Sequence, residues 1–400
     1  MIGHNQTGKT EEFRFGCEVL LHSPPSWFRS GRLGLLANQA SVNRSFESVK
    51  KLIVRAGVNL SCIFSPQHGF YSEKQANMIE SADSFDPETG ARVVSLYSDT
   101  RQPSIEALKK IDILLIDLQD VGTRVYTYTT TIGLCLEAAA LAGTRVVVLD
   151  RPNPINGTEF EGNVLDPAFR SFIGRYPVPM RHGLTPGEFA RFVCSEANID
   201  CDLEVFAMRG WSRSRLFGSL GLDWVYSSPN MPSWETALFY PGMVLLEGTN
   251  ISEGRGTTLP FQLFGAPFLD QGKFRKELQG TGFDGIILRP VVYEPAFDKY
   301  KGEPCYGFQI HITDKKRFKP YRMGLALLQA LRKTHPDHFR WLNPPYEYEL
   351  EKLPIDILIG SDAIRRGVEQ GQDLNIIESG WEQDLLKFRE KREPCLLYRG

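Results

Sequence analysis

Two short stretches, Ile113 to Leu118 and Arg145 to Leu149, flank an apolar helical stretch from Ile132 to Ala142, and neither alternates apolar with polar residues. A strand with one face in water alternates. A strand that does not alternate is buried on both faces, and such sheets are built from parallel strands joined by crossover helices. The preceding chain repeats the rhythm. Leu33 to Ala37 reads as a strand, Ser45 to Ala56 as a helix with Val49, Leu52, Ile53 and Ala56 on one side, and Leu60 to Phe64 as a strand. Val93 to Tyr97 adds a further strand and Ile105 to Ile111 a short helix. The fold class expected is α/β, with a Rossmann-like parallel sheet.

At 400 residues the chain is too long for one ordinary core, which makes two domains the expectation. The texture changes near residue 240. Leu246 to Gly265 is rich in Gly and Thr, and the longer β-like segments Gly285 to Tyr293 and Phe308 to Thr313 follow. An amphipathic helix spans Tyr321 to Lys333, and the stretches Ala363 to Gln370 and Glu378 to Lys391 close the chain. The expected division is a catalytic sheet domain over 1–240 and a smaller α+β domain over 241–400 that completes the cleft.

Composition removes several function classes. Lys plus Arg is 46 and Asp plus Glu 48, a formal charge of −2, so nothing draws the chain generally to nucleic acid or anionic lipid. No segment approaches the roughly eighteen unbroken apolar residues of a membrane span. Met1 to Phe13 is polar and carries no apolar signal core. The seven cysteines are scattered without a Cys-x-x-Cys pair, which reads as a reduced, cytoplasmic protein; a processed precursor that has lost its signal would look the same. No Gly-x-Gly-x-x-Gly opens a helix after an early strand, and no Walker loop occurs; Gly254-Arg-Gly-Thr257 is a lone short match. His-Glu-x-x-His, a cysteine cluster and the Gly-x-Ser-x-Gly elbow are also missing, so neither a metal nor a cofactor is expected.

Parallel sheets bind ligands beyond the carboxyl ends of their strands. The chain there is polar three times over: Ser65-Pro-Gln-His-Gly69, Gln119-Asp-Val-Gly-Thr-Arg124 and Asp150-Arg-Pro-Asn-Pro-Ile-Asn-Gly157. Pro, Asn and Gly by themselves only build turns. His68, Arg124 and Arg151 are not turn residues, and their recurrence marks a candidate site.

These motifs, with Gly34-Leu-Leu-Ala-Asn-Gln-Ala40, Tyr126-Thr-Tyr128, Glu161-Gly162, Arg181-His-Gly-Leu-Thr185, Ser228-Pro-Asn-Met-Pro232, Glu247-Gly-Thr-Asn250 and Gly265-Ala-Pro267, resemble the NamZ/YbbC exo-β-N-acetylmuramidases. The last third matches more loosely. The resemblance implies a Rossmann-like catalytic domain, a smaller C-terminal domain, a cleft between them, and cofactor-free hydrolysis of terminal N-acetylmuramic acid from peptidoglycan fragments. The implied partner is a small carbohydrate, neither nucleic acid nor membrane. The family pattern carries Ser-Pro-Glu-His-Gly, where this chain has Gln67, and a second family Glu falls on Met78. An amide cannot exchange a proton as a carboxyl does. Either the acid comes from elsewhere, or the substrate has changed, or the chain binds sugar without cutting it.

Glycoside hydrolysis ordinarily uses two carboxyl groups, one of which must keep its proton near neutral pH. Glu73, Glu80, Asp120, Glu161 and Glu247 are the candidate catalytic carboxyls, with His68 able to orient one of them or shuttle a proton. For each carboxylate an ordinary ion pair is the alternative. Arg124, Arg151 and Arg255 suit the lactyl carboxylate of muramic acid, since a guanidinium makes two parallel bonds to it; pairing with Asp117, Asp120 or Asp150 is the alternative. Gln67, Asn153, Asn156 and Asn230 offer neutral contacts for hydroxyl and N-acetyl groups. His182, placed with the substrate contacts, is like His68 able to orient a carboxylate or shuttle a proton. Tyr126 and Tyr128 offer a face for the sugar ring, with half-buried strand positions as the alternative.

Overall fold

A computed structural model describes residues 12–75, 83–97, 100–278 and 283–399. Twelve strands run in chain order: β1 (Arg32–Ala37), β2 (Asn59–Ser65), β3 (Ser84–Phe85), β4 (Arg92–Ser95), β5 (Ile113–Asp117), β6 (Arg145–Leu149), β7 (Glu161–Val164), β8 (Pro179–Arg181), β9 (Leu203–Phe206), β10 (Leu263–Ala266), β11 (Ile286–Tyr293) and β12 (Cys305–Ile312). The main sheet has the order β3-β4-β2-β1-β5-β6-β9. All its pairings are parallel except that of the edge strand β3 with β4. Without β3 this is the doubly wound order, whose direction reverses between β1 and β5. The α/β class expected from the sequence is therefore present.

The unalternating strands follow from burial on two sides. Leu114, Ile116, Val146 and Val148 join one apolar cluster, beneath the helices Tyr128–Ala142 and Pro186–Glu196. Ile113, Leu115, Val147 and Leu149 join the other, beneath Gly16–His22 and Val49–Arg55. Successive side chains point to opposite faces, so both parities must be apolar. Tyr128–Ala142 is buried almost all round, as a helix apolar on every side must be. Strand β9 was not expected: its residues Leu-Glu-Val-Phe are all half-buried at the sheet edge, and so short a mixed run carries no period.

The second half holds the antiparallel sheet β10-β12-β11 and the amphipathic helix Pro320–Thr334, one residue longer at each end than the expected Tyr321 to Lys333. The chain position 240/241 lies inside the helix Trp234–Met243, whose residues from Thr236 to Met243 are all buried. This helix packs on Pro320–Thr334 where Gly242 meets Gly324. A Cβ at Gly324 would stand 2.6 Å from the Gly242 carbonyl oxygen, so any side chain there would push the two halves apart. One continuous apolar cluster runs from the sheet into this second half.

Candidate active site

The turns after β1, β2, β5 and β6 emerge on one side because these strands are parallel. The turn after β2 carries Gln67 and His68, and the segment after β5 carries Tyr126 and Thr127. Together with Glu247, Arg255, Tyr346 and Glu347 of the second half they line a narrow cavity of about 40 Å³. Small-molecule pockets start at about 300 Å³, so among the described residues the cavity is a narrow one.

Glu347 is 3% exposed. Its Oε2 accepts the Tyr97 hydroxyl at 2.9 Å and its Oε1 lies 3.4 Å from the Gln67 Nε2 donor. The Gln67 amide is fixed at both ends, since Oε1 accepts the Thr127 hydroxyl at 2.6 Å and Nε2 also donates to the Tyr97 oxygen at 3.0 Å. Burial raises the Glu347 carboxyl to about 7 against the pull of the Tyr97 hydroxyl, and the charge of Glu247 adds to the rise. The backbone is unusual here. Tyr346 and Glu349 exchange both main-chain hydrogen bonds, leaving Glu347 at φ 46° and Tyr348 at φ 69° between them. Both residues of this tight hairpin sit in the left-handed region without being glycine, a cost of order 1–3 kcal/mol each that the surrounding contacts must hold.

Glu247 is the ionised counterpart. Burial works to raise it, yet Arg255 Nη2 at 2.7 Å and the Tyr346 hydroxyl at 2.6 Å hold its carboxyl below the ordinary value. Arg255 also stands 3.2 Å from Glu253, which pairs with Lys299 at 2.9 Å. His68 adopts φ 75°, and its Nδ1 lies 2.8 Å from the Lys74 carbonyl. A carbonyl only accepts, so the proton sits on Nδ1 and Nε2 keeps its lone pair. Burial draws this imidazole down to about 4, which leaves it neutral at physiological pH.

Other expected site residues are used by the fold. Arg124 is buried and donates to the carbonyls of Asn163, Val178, Leu358 and Ile359. It ties the two halves rather than facing the cavity. Arg151 is bound to Asp117 and to the Val42 carbonyl. Asn153 bonds the Leu184 carbonyl and the Ile155 N–H, fitting against Gly122 at φ 79°, where a Cβ would come within 2.5 Å of the amide oxygen. Asn156 closes a turn by accepting from the N–H groups of Thr158 and Glu159. Glu161 accepts from Arg322 N–H on β7 and does not line the cavity.

Asp120 accepts from Gly122 N–H at 2.6 Å and faces His182 Nε2 at 3.4 Å. The His182 Nδ1 accepts from Leu184 N–H, so its proton is on Nε2, toward the carboxylate. Neither Asp120 nor His182 is among the residues lining the cavity; the charge of Asp120 reaches Tyr126, whose hydroxyl meets Ser227 Oγ at 2.6 Å. Asn230 lines the cavity. Glu73 is exposed, while Glu80 and Met78 lie outside the described residues. The structure thus brings Gln67, His68, Tyr126, Asn230, Glu247 and Arg255 to one cavity and assigns Arg124, Arg151, Asn153, Asn156 and Glu161 to scaffolding. Sequence reasoning missed Glu347; its one signal was a carboxylate set among aromatics in Tyr346-Glu-Tyr348.

Two family models match the chain. Residues 33–235 match the N-terminal part of the exo-β-N-acetylmuramidase NamZ, and residues 238–398 match its C-terminal part. The peptidoglycan β-N-acetylmuramidase NamZ of Bacillus subtilis (strain 168) is 38% identical over 395 residues, 98% of this chain and 93% of that protein. Among solved structures, a DUF1343 family protein of Bacteroides fragilis NCTC 9343 superposes with a TM-score of 0.87 at 32% identity, covering 97% of this chain and 99% of that one. A second from the same organism gives 0.75 at 27% identity over the same shares.

Proposed function

The chain belongs to the NamZ family of exo-β-N-acetylmuramidases, and from that premise we propose that it hydrolyses the terminal N-acetylmuramic acid linkage at the non-reducing end of peptidoglycan fragments. The observation that carries this reading is a pair of buried carboxyls lining one cavity in unlike settings, Glu247 against the Arg255 guanidinium and Glu347 bonded by the uncharged Tyr97 and Gln67, so that the proton affinity of Glu347 rises while that of Glu247 falls. Glycosidases need a group that gives a proton and a second that stays charged, and divergent environments separate such roles. Of the three arginines expected to meet the lactyl carboxylate, Arg255 lines the cavity, and we assign that contact to it. Asn230 and the unprotonated Nε2 of His68 supply neutral partners.

We place this activity in the cytoplasm, on fragments recovered during cell-wall turnover. The seven cysteines are all free, as expected of a reducing compartment, and no helix among the described residues is long and apolar enough to cross a membrane. The competing reading is a sugar-binding protein without turnover, favoured by the amide at Gln67. Release of 4-nitrophenol from 4-nitrophenyl β-N-acetylmuramide decides between them. Turnover supports hydrolysis; saturable binding with no release would establish the binding protein.

A further inference from the structure

We propose that Glu347 is the general acid of this site, supplied by the C-terminal half across the cavity to stand beside the amide of Gln67. The inference rests on the reading of the site as a muramidase centre. Three observations carry it. Glu347 is a buried carboxyl that lines the cavity and, among the described residues, has no cationic partner at either oxygen: its hydrogen bonds come from Tyr97 and Gln67. The other buried carboxyls of the cavity region are neutralised directly, Glu247 by Arg255 and Glu253 by Lys299. The hairpin that presents Glu347 holds two non-glycine residues at positive φ, and strain of this kind persists where neighbouring contacts over-determine a functional position.

The protonation state agrees. The groups facing Glu347 are Tyr97, Tyr240, Tyr346, Glu247 and Arg255, with Arg101 over the Tyr348 ring at 3.6 Å. Burial and the Glu247 charge outweigh the stabilising contacts, and the carboxyl rises to about 7. A proton is therefore available near neutral pH. In the reaction, the bond between the anomeric carbon and the glycosidic oxygen breaks. Its electron pair goes to that oxygen, which takes the Glu347 proton and leaves as an alcohol. Water adds its hydroxyl to the anomeric carbon, and its remaining proton resets the enzyme.

The test compares two leaving groups in wild type and Glu347→Gln. A nitrophenolate leaves without help, whereas a sugar alkoxide needs the acid. For a muramic-acid-terminated disaccharide, kcat/KM is expected to fall about 10²- to 10⁴-fold. For the 4-nitrophenyl muramide the loss is expected to stay within roughly tenfold, and the basic limb of its pH profile to disappear. Equal losses on both substrates with an unchanged pH profile, and a normal melting temperature, would show a positioning role and overturn the proposal. Unimpaired disaccharide cleavage would overturn it too. If the wild type cleaves neither substrate, the muramidase reading itself fails, separately and first. Glu347→Asp serves as a second variant: a shortened acid retains the disaccharide preference in part, whereas a purely steric role predicts no difference from Gln.

Discussion

Two of the concave regions among the described residues differ in how their charges are held, and size does not follow that difference. The open groove between the helix Pro320–Thr334 and residues 368–375 has a volume of about 940 Å³, against about 40 Å³ for the cavity beside Gln67. The groove is rich in cations, yet each has an ordinary partner in reach of water. Lys333 meets Glu277 at 2.7 Å with 71% of its side chain exposed, Arg322 pairs with Glu378, and Arg332 and Arg340 bond main-chain carbonyls. In the cavity, two carboxyls, a guanidinium and an imidazole are removed from water together, and their proton affinities move in opposite directions. Room for a ligand does not make chemistry; dry charges held against their solvation preference do.

Removing the cation from the dry cluster is the strongest way to break this contrast. Arg255→Met leaves Glu247 and Glu253 buried beside each other without their shared partner. The expected loss is about 3–5 kcal/mol of stability, read as a lowered denaturation midpoint, with activity abolished. A variant of wild-type stability would mean the cluster is wetter than its burial indicates.

A smaller effect, with a defined pH window, comes from Glu347. Its ordinary value is 4.5 and its folded value about 7. Between those values the unfolded chain releases a proton that the folded chain keeps, so stability falls as pH rises through the window and the cost is complete above it. Glu347→Gln removes that cost. Relative to wild type it is expected to gain up to about 3 kcal/mol at pH 8 and nothing at pH 4, measured by urea unfolding at the two pH values. A constant difference would show that the carboxyl does not titrate on folding.

Gln67→Glu sharpens the comparison from the other side. A second carboxyl 3.4 Å from Glu347 must share a proton with it, because like charges at that distance resist ionising together. The basic limb of activity is expected to move up by about one pH unit, roughly 1.4 kcal/mol. An unmoved limb would mean that the position at 67 and the acid are not coupled. The smallest effect belongs to the groove: Lys333→Ala, an exposed pair, is expected to change stability by less than about 1 kcal/mol and kcat/KM not at all. A substantial loss of turnover there would reverse the assignment of chemistry between the two regions.

Local pattern carried the architecture of the first half. Ile113–Asp117 and Arg145–Leu149 are strands because both their faces are covered, a requirement written into every residue of each run. Turn chemistry likewise announced the three polar strand ends. It did not say which of their side chains would face a ligand. Asn153, Asn156 and Arg124 have the same residue types as sugar-binding groups, but main-chain groups occupy them: Asn156 is held within its own turn, while Asn153 and Arg124 also reach the distant carbonyls of Leu184 and Ile359, partners that only the folded chain supplies. Edge strand β9 escaped notice because half-burial leaves no periodic mark.

The amino-acid order alone thus carried most element types of the first half, a parallel sheet covered on both faces and the family likeness, since these depend on hydrophobic period and on motifs within a few residues of one another. Which carboxyls meet in the cavity was decided only when the chain closed. Gln67 and Glu347 are 280 residues apart, and the rise in the proton affinity of Glu347 comes from burial and from Glu247, neither of which has any meaning before the two halves meet.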